Sequence, residues 1–415
     1  MTVEDEVAAA FREEWGRVVA TLIRVTGDWD LAEECAQEAF ARALERWPGD
    51  GVPRRPGAWL TTTARNHALN RLRRGATEIE KLRQVSVMTG ADEPPGTAGV
   101  ADDRLRLIFT CCHPALPIEG RVALTLRTLL GLTTAEIARA FLTREQAMAQ
   151  RLVRAKRKIR EAGIPYRVPA AHLLPERTAA VLGVVYLLFN EGYAATEGGP
   201  VRADLCAEAI RLARVLDELM PDEPEVRGLL ALLLLQHSRR NARMDPAGDL
   251  VALDEQDRTR WERGAITEGT GLLDAALRRG KPGPYQVQAA IAACHASAPT
   301  AAETDWPQIA ALYGRLEEMN PGPVVRLNRA VAVAMADGPA VGLALVRELD
   351  GRLDGYHLLP ATRADLLRRL GRDAEAADAY RAALELARTE ADRRFLTRRL
   401  AETQPGPERP PGPGA

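Results

Sequence analysis

A chain of 415 residues carrying 56 Lys or Arg against 57 Asp or Glu is longer than one hydrophobic core usually organises, and two or three domains are expected. A net charge of -1 means that any nucleic-acid contact must be a local feature, since nothing in the global balance advertises one. Five cysteines (Cys35, Cys111, Cys112, Cys206, Cys294) without CxxC or paired spacing exclude a disulfide framework and a zinc site as expectations, and suit a reducing cytoplasm. The N-terminus is acidic and lacks an apolar signal core. The longest apolar runs, Ala179–Phe189 and Gly228–Leu235, are too short for a bilayer, so a soluble, cytoplasmic protein without membrane contact is expected.

Charge is uneven along the first domain. Residues 1–50 hold twelve Asp or Glu against five Arg, whereas residues 51–77 hold six Arg and no acid, which points to two different partners for one domain. From Val3 to about Arg74 helix formers dominate, broken at Gly27-Asp28 and between Trp47 and Gly57, giving three or four helices. Leu31, Cys35, Ala39 and Leu44 keep helical spacing, leaving Asp28, Asp30, Glu33, Glu34, Gln37 and Glu38 as an acidic surface. The stretch Trp59–Arg74 mixes an aromatic, Thr61 to Thr63, Asn66, Asn70 and several Arg on one amphipathic helix. Exposed bases of single-stranded or melted DNA need stacking surfaces, edge partners and cations of this kind. Residues 77–103 contain Gly90, Pro94, Pro95, Gly96 and Gly99 with few large apolar groups and read as a flexible linker.

Residues 104–131 give two short helices broken at Pro114 and Pro117. Adjacent Cys111, Cys112 and His113 point to different helix faces and are read as buried small residues, not as a metal site. Then Thr133 with Glu136, and Thr143 with Gln146, have the spacing of capping boxes ten residues apart, the pattern of a helix-turn-helix. In the second helix Met148, Leu152, Ala155 and Ile159 fall on one buried stripe, and about 100° per residue turns Gln146, Gln150, Val153, Arg154 and Arg157 to solvent. Between Thr133 and Arg160 eight cations stand against two Glu. Gln can read adenine edges and Arg can hold guanine or phosphate.

The stretch DWDLAEECAQEAFARALERW, with Glu33-Glu34, Gln37-Glu38 and Phe40, resembles the polymerase-binding helix of sigma-70 family RNA polymerase sigma factors of the extracytoplasmic-function group. PGAWLTTTARNHALNRLRR resembles the adjacent helix that melts and reads the -10 promoter element, and the helix-turn-helix falls where that family reads the -35 element. Two departures stand out: Ala140-Phe141-Leu142 lacks the Gly often used at the turn, and Ala149 replaces a basic residue common in the recognition helix. The resemblance implies core polymerase contacts by Asp30, Glu33, Glu34, Gln37 and Glu38. It implies -10 contacts by Trp59, Arg65, Asn66, Asn70, Arg71, Arg73 and Arg74, and -35 contacts by Thr143, Arg144, Gln146, Gln150, Arg151, Arg154, Arg157 and Lys158. Core RNA polymerase and promoter DNA are the implied partners.

Beyond Pro165 the chain is internally repetitive. LDELMPDEPEVRGLLALLL from Leu216 echoes LEEMNPGPVVRLNRAVAV from Leu316, and MADGPAVGLALV from Met335 aligns with LGRDAEAADAYR from Leu370 at a 35-residue offset. Leu366–Leu386 resembles the tetratricopeptide repeat (TPR), with Leu370, Gly371, Ala376, Ala379, Tyr380, Ala383 and Leu384 carrying the pattern. The expected fold is all-α: a region 2 domain over residues 1–76, a linker over 77–103, a region 4 domain over 104–165, an α-solenoid of TPR-like hairpins over 170–400 and a disordered tail over 404–415. Phe189–Tyr193 reads as a helix end with Gly192 in a left-handed cap, and Asp254–Arg258 with Trp261 as a charged loop with an anchoring aromatic. Residues 170–400 are expected to regulate, through a separate protein or an intramolecular contact. No nucleophile with its base, phosphate-cradling loop or metal spacing is present, so no enzyme, cofactor or metal is expected. The competing expectation is a helix-turn-helix regulator that binds an operator unaided; the acidic and Arg-rich helices of residues 28–74 argue against it.

Overall fold

Helix α1 (Val3–Thr26) buries Trp15, Val18, Val19, Leu22 and Ile23 along one face and ends where Gly27 takes a φ of 67°. Asp28 then caps α2 (Trp29–Asp50), its carboxylate accepting from the backbone N–H of Asp30 (2.8 Å) and Leu31 (3.0 Å). Small residues Ala32, Cys35, Ala36, Ala39 and Ala43 form the buried side of α2, which lets α1 approach closely. Leu44, expected on that side, is 49% exposed, because the buried positions step through Phe40, Ala43 and Trp47 and leave it on the flank. Helix α3 (Pro56–Arg83) completes this layer with Leu60, Ala64 and Ala68 buried, and it runs on past residue 76, where the linker was expected to begin.

The computed structural model describes residues 3–83, 103–141, 143–193, 199–387 and 389–403, the side chains of 75–83 and 199–204 excepted. The remainder of the expected linker and the expected tail lie outside the described residues. Among the described residues the chain is all-α, with one isolated antiparallel bridge between Met244 and Leu250. It forms two compact units, residues 1–191 and 192–415.

The first unit continues with α4 (Asp103–Cys111), α5 (Ile118–Leu124), a π-helical turn over Thr125–Leu129, α6 (Thr134–Ala140) and α7 (Glu145–Glu161). The capping box at α6 is formed in both directions: Glu136 N–H donates to Thr133 Oγ1 (3.2 Å) and Thr133 N–H donates to Glu136 Oε2 (2.7 Å). The second expected box is not formed. Helix α7 begins one residue later than expected, with Arg144 at the cap, so Gln146 stands at the second helical position and cannot reach back; the Thr143 N–H instead donates to the Ala138 carbonyl (2.9 Å).

The two sigma-like segments share one core. A Cβ at Gly16 of α1 would lie 2.7 Å from the Leu129 carbonyl oxygen, and one at Gly131 (φ 77°) would lie 2.7 Å from the Phe11 ring. Phe11, Trp15 and Phe40 cluster there with ring centroids 4.9 to 6.0 Å apart. The Tyr166 hydroxyl reaches the carbonyls of Ala20 (2.8 Å) and Asp103 (3.2 Å), tying the chain beyond α7 to both.

Helix α8 (Leu174–Tyr193) includes Gly192, which does not take a positive φ, so the expected left-handed cap is not formed there. Among the described residues one helix, Ala171–Tyr193, is long and apolar enough by length and composition to cross a membrane, with 39% of its most apolar window buried. The run Ala179–Phe189 understated it because a 3-10 turn at Ala171–Leu173 leads straight into the helix.

The second unit is a solenoid of TPR-like hairpins: α9 (Gly199–Leu219), α10 (Pro224–His237), α11 (Arg263–Leu277), α12 (Pro284–Ser297), α13 (Trp306–Met319), α14 (Pro323–Asp337), α15 (Pro339–Arg347), α16 (Leu358–Arg369), α17 (Asp373–Leu386) and α18 (Glu390–Glu402), each packed on the next. The repeat echo has a structural basis, since Pro224 and Pro323 both open a helix, where a missing N–H costs nothing. In the clearest repeat Gly371 (φ 70°) makes the turn between α16 and α17, and Ala376, Ala379, Tyr380 and Ala383 are buried against the neighbouring helices.

Candidate nucleic-acid interface

On α3, residues four apart on the buried side leave the opposite face to the polar side chains. A cavity of about 480 Å³ opens there, lined by Trp59, Asn66, Asn70, Arg71 and Arg74 from α3 and by Glu38, Arg42 and Arg46 from α2. Trp59 is half-buried and edge-on to Trp47, with centroids 5.6 Å apart, which fixes the indole at the cavity wall. Arg71 pairs with Glu34 and so is anchored to α2. Burial, then Arg42, holds the His67 pKa below its ordinary value, keeping that ring neutral beside the cations. Arg65 and Arg73 are exposed but do not line the cavity, whereas Glu38, assigned to another role by its sequence context, does.

Helix α7 presents the second surface. Met148, Leu152, Ala155 and Ile159 are buried as their spacing predicts, and Arg144, Gln146, Gln150, Arg154, Arg157 and Lys158 are exposed, with Thr143 and Arg151 half-buried. Val153 lies among them at 64% exposure, an apolar group on an otherwise polar face. Between α5 and α7 a groove of about 550 Å³ is lined by Arg151, Arg154, Arg157 and Lys158 together with Glu119 and Glu161, the last paired with Arg157 at 3.5 Å. This gives a row of cations beside amide groups near the helix start.

The acidic helix differs from its expected form. Glu33 is not on the surface: it is 5% exposed, and both carboxylate oxygens are occupied by cations from the other sigma-like segment. Arg127 Nε donates to Oε2 at 3.0 Å and Lys156 Nζ donates to Oε1 at 2.9 Å, while Lys156 also reaches Asp30 Oδ1 at 2.8 Å. The sequence pattern missed this because Glu33 sits beside the apolar stripe of α2 and the cations that neutralise it come from residues about a hundred positions away. Lys156 is correspondingly turned off the α7 surface, with its side chain 13% exposed. Glu34, Gln37 and Glu38 remain exposed, and Asp30 is 86% exposed apart from its single bond.

Cys111 and Cys112 are fully buried, each thiol beside a threonine of the π-helical turn: Cys111 Sγ to Thr128 Oγ1 at 3.2 Å and Cys112 Sγ to Thr125 Oγ1 at 3.6 Å. Burial pushes the Cys112 thiol up to about 11, and Cys111 higher still, so both are inert protonated packing groups.

These contacts make Glu33 and Glu34 unequal. Glu33→Ala leaves Arg127 and Lys156 without their shared buried carboxylate and should destabilise the first unit by about 3 kcal/mol, as when a buried pair is broken. Glu34→Ala removes an exposed pair and should cost less than about 1 kcal/mol. Urea denaturation of both variants checks this, and equal losses would contradict it.

Residues 11–78 match the family model for sigma-70 region 2, residues 106–159 that for sigma-70 region 4, and residues 177–277 a family of unknown function (DUF6596). An uncharacterized protein of Rhizobium meliloti (strain 1021) is 46% identical over 392 residues, 92% of each chain. The probable ECF RNA polymerase sigma factor SigI of Mycobacterium tuberculosis (strain ATCC 25618 / H37Rv) is 29% identical over 183 residues, which cover 43% of this chain and 62% of SigI. Among solved structures, yeast Tom70 matches with a TM-score of 0.37 and 11% identity over 97% of this chain and 84% of that one, too distant a likeness to support any inference. The chain thus carries sigma-70 region 2 and region 4 domains in that order, is similar to an extracytoplasmic-function sigma factor over 43% of its length, and continues into a C-terminal helical-repeat extension.

Proposed function

We propose that this sigma factor binds core RNA polymerase through the exposed side of α2, reads the -10 element with α3 and the -35 element with α7, and is regulated through residues 170–400. The observation that carries the reading is the order of three unlike surfaces in one unit: an acidic helix, a cavity of aromatic, amide and Arg groups, and a helix-turn-helix with exposed Gln and Arg. Asp30, Glu34, Gln37 and Glu38 offer the polymerase its acidic contacts, and Glu33 joins them once Arg127 and Lys156 let go. Trp59, Asn66, Asn70, Arg71 and Arg74 suit an unstacked base and its phosphates, with Arg65 and Arg73 on the flanking backbone. At the -35 element Gln146 and Gln150 read base edges while Thr143, Arg144, Arg151, Arg154, Arg157 and Lys158 hold phosphate.

The ion pairs of Glu33 join the α2 docking helix to the recognition helix, so the arrangement described above is the resting one. Two promoter elements read by two domains require the domains to separate, and separation breaks these pairs. Transcription from a cognate promoter with core polymerase and this chain tests the role itself.

Lys156→Glu places a third negative charge beside Asp30 and Glu33 and should open the first unit, raising core polymerase affinity and transcript yield; an unchanged or lower affinity from a folded variant would contradict the resting state. Gln146→Ala and Gln150→Ala should relax -35 sequence preference by about 1–3 kcal/mol per lost base contact, whereas Arg154→Ala should weaken binding to all sequences and flatten its salt dependence. A uniform effect of the Gln changes would place the reading face elsewhere. A truncated chain ending at Pro169, which keeps the Tyr166 bonds, should still bind core polymerase but transcribe at an altered level; unchanged transcription at matched protein concentration would remove the regulatory role of residues 170–400.

A further inference from the structure

In the second unit one long loop lies against several helices of the repeat. Between α10 and α11 a stretch of 25 residues, Ser238 to Glu262, holds two short 3-10 turns and the Met244–Leu250 bridge, its first half bordering α18 and α16 and Leu253–Arg258 bordering α14 and α12. Arg258 donates to the carbonyls of His295 and Ala298 (2.6 Å each) at the end of α12 and to Thr304 Oγ1 (3.1 Å). Leu250, Val251 and Ala252 border one cavity with Leu358 and Ala361 of α16, and Asp249 and Glu255 pair with Arg394 and Arg399 of α18. Helical-repeat solenoids present helix surfaces to peptides; here the chain's own loop lies against these helices.

One compartment under that loop stays open. It is walled by Leu253, Arg258, His295, Trp306, Val331 and Met335, with Asp254 also on the wall and its carboxylate offset by Arg369 at 3.9 Å, and has a volume of about 190 Å³. That is below the roughly 300–1,000 Å³ of sites for drug-sized ligands, so its occupant is smaller. Its polar groups are incompletely used. Arg258 is 8% exposed, yet its Nε has no hydrogen-bond partner, and Nδ1 of His295 is likewise buried and unpartnered. Trp261 stacks on the guanidinium at 4.9 Å; Glu303 acts on it electrostatically and Asp254 shares the compartment, but among the described residues neither forms an ion pair with Arg258. Burial and the neighbouring Arg239 and Arg258 push His295 down to about 4, so the ring is neutral and its Nδ1 can carry the second N–H donor. Two orphaned buried donors beside an apolar wall are costly alone and are satisfied together by one anionic group.

We infer that this compartment binds a small apolar carboxylate, its oxygens on Arg258 Nε and His295 Nδ1 and its hydrocarbon body against Trp306, Val331 and Met335. The anion supplies what the buried guanidinium lacks, and the loop Leu253–Arg258 forms one wall of the site, so an occupied compartment fixes the loop against the helices of the repeat. The inference concerns the second unit alone and does not depend on the promoter reading above.

Isothermal titration of the full chain with benzoate, cyclohexanecarboxylate, benzamide and inorganic phosphate tests it. Saturable one-to-one binding of benzoate or cyclohexanecarboxylate, at least tenfold tighter than benzamide or phosphate, is expected. Val331→Phe, which fills the apolar wall without touching either donor, should weaken that binding tenfold or more in a protein with unchanged helical content. His295→Phe should weaken it too while leaving Arg258 in place. No saturable binding of either acid, equal binding of benzamide, preferential binding of phosphate, or full affinity in Val331→Phe would each overturn the inference.

Discussion

A single buried carboxylate, Glu33, holds the first unit in its present form. Its side chain is withdrawn from water, and each oxygen is met by one cation, Arg127 from the π-helical turn and Lys156 from the recognition helix. A charge so placed is tolerable only with both partners, and this makes the contact between the two sigma regions all-or-none. Packing follows the same line. Gly16 and Gly131 bring the backbone of the π-turn segment against α1 and its aromatic cluster, and a side chain at either position would part them. On the proposed roles of α2 and α7, polymerase docking and promoter reading are coupled through one electrostatic knot, because Lys156 of α7 and Arg127 share the carboxylate of Glu33.

Such a knot must be undone by something that binds the open form better. Moving an equilibrium from almost wholly closed to almost wholly open takes roughly 5.5 kcal/mol of differential affinity. In the proposed function core polymerase and promoter DNA together supply this, the acidic side of α2 and the cationic faces of α3 and α7 each taking a partner on opening. In the proposed regulation a ligand held by the second unit biases the same equilibrium, and chemical input becomes transcriptional output. The loop against the repeat fits such a device, because it borders α12, α14, α16 and α18 and its Arg258 touches the compartment directly.

Much of the organisation was legible in the sequence because it is local. The Thr133–Glu136 capping box, the Met148–Ile159 stripe and the small-residue packing of Ala376, Ala379 and Ala383 depend on neighbours within one or two turns, and helical periodicity reports them directly. The misreadings share a cause in tertiary context. Glu33 looked like its exposed neighbours Glu34 and Gln37 until Lys156 and Arg127 were brought to it from distant positions. Thr143 and Gln146 had the right spacing, yet the chain spends the Thr143 N–H on closing the turn after α6. Gly192 looked like a stop but lies inside α8, and Leu44 kept the helical spacing but not the face. The segment Asp254–Arg258 reads as a charged loop in sequence, and its place against the repeat depends on distant partners, Arg399 of α18 for Glu255 and the end of α12 for Arg258.

The central claim, that the Glu33 knot closes the free protein and yields to polymerase, is open to a distance measurement. Spin labels at exposed Gln37 on α2 and exposed Val153 on α7, in a chain whose partly exposed Cys294 is replaced by Ser, report the separation of the two helices by pulsed electron resonance. One narrow short distance in the free protein, replaced by a longer one on addition of core polymerase and already longer in Lys156→Glu, is the expected result. An identical distance distribution with and without core polymerase, under conditions where the labelled chain directs transcription, would contradict it.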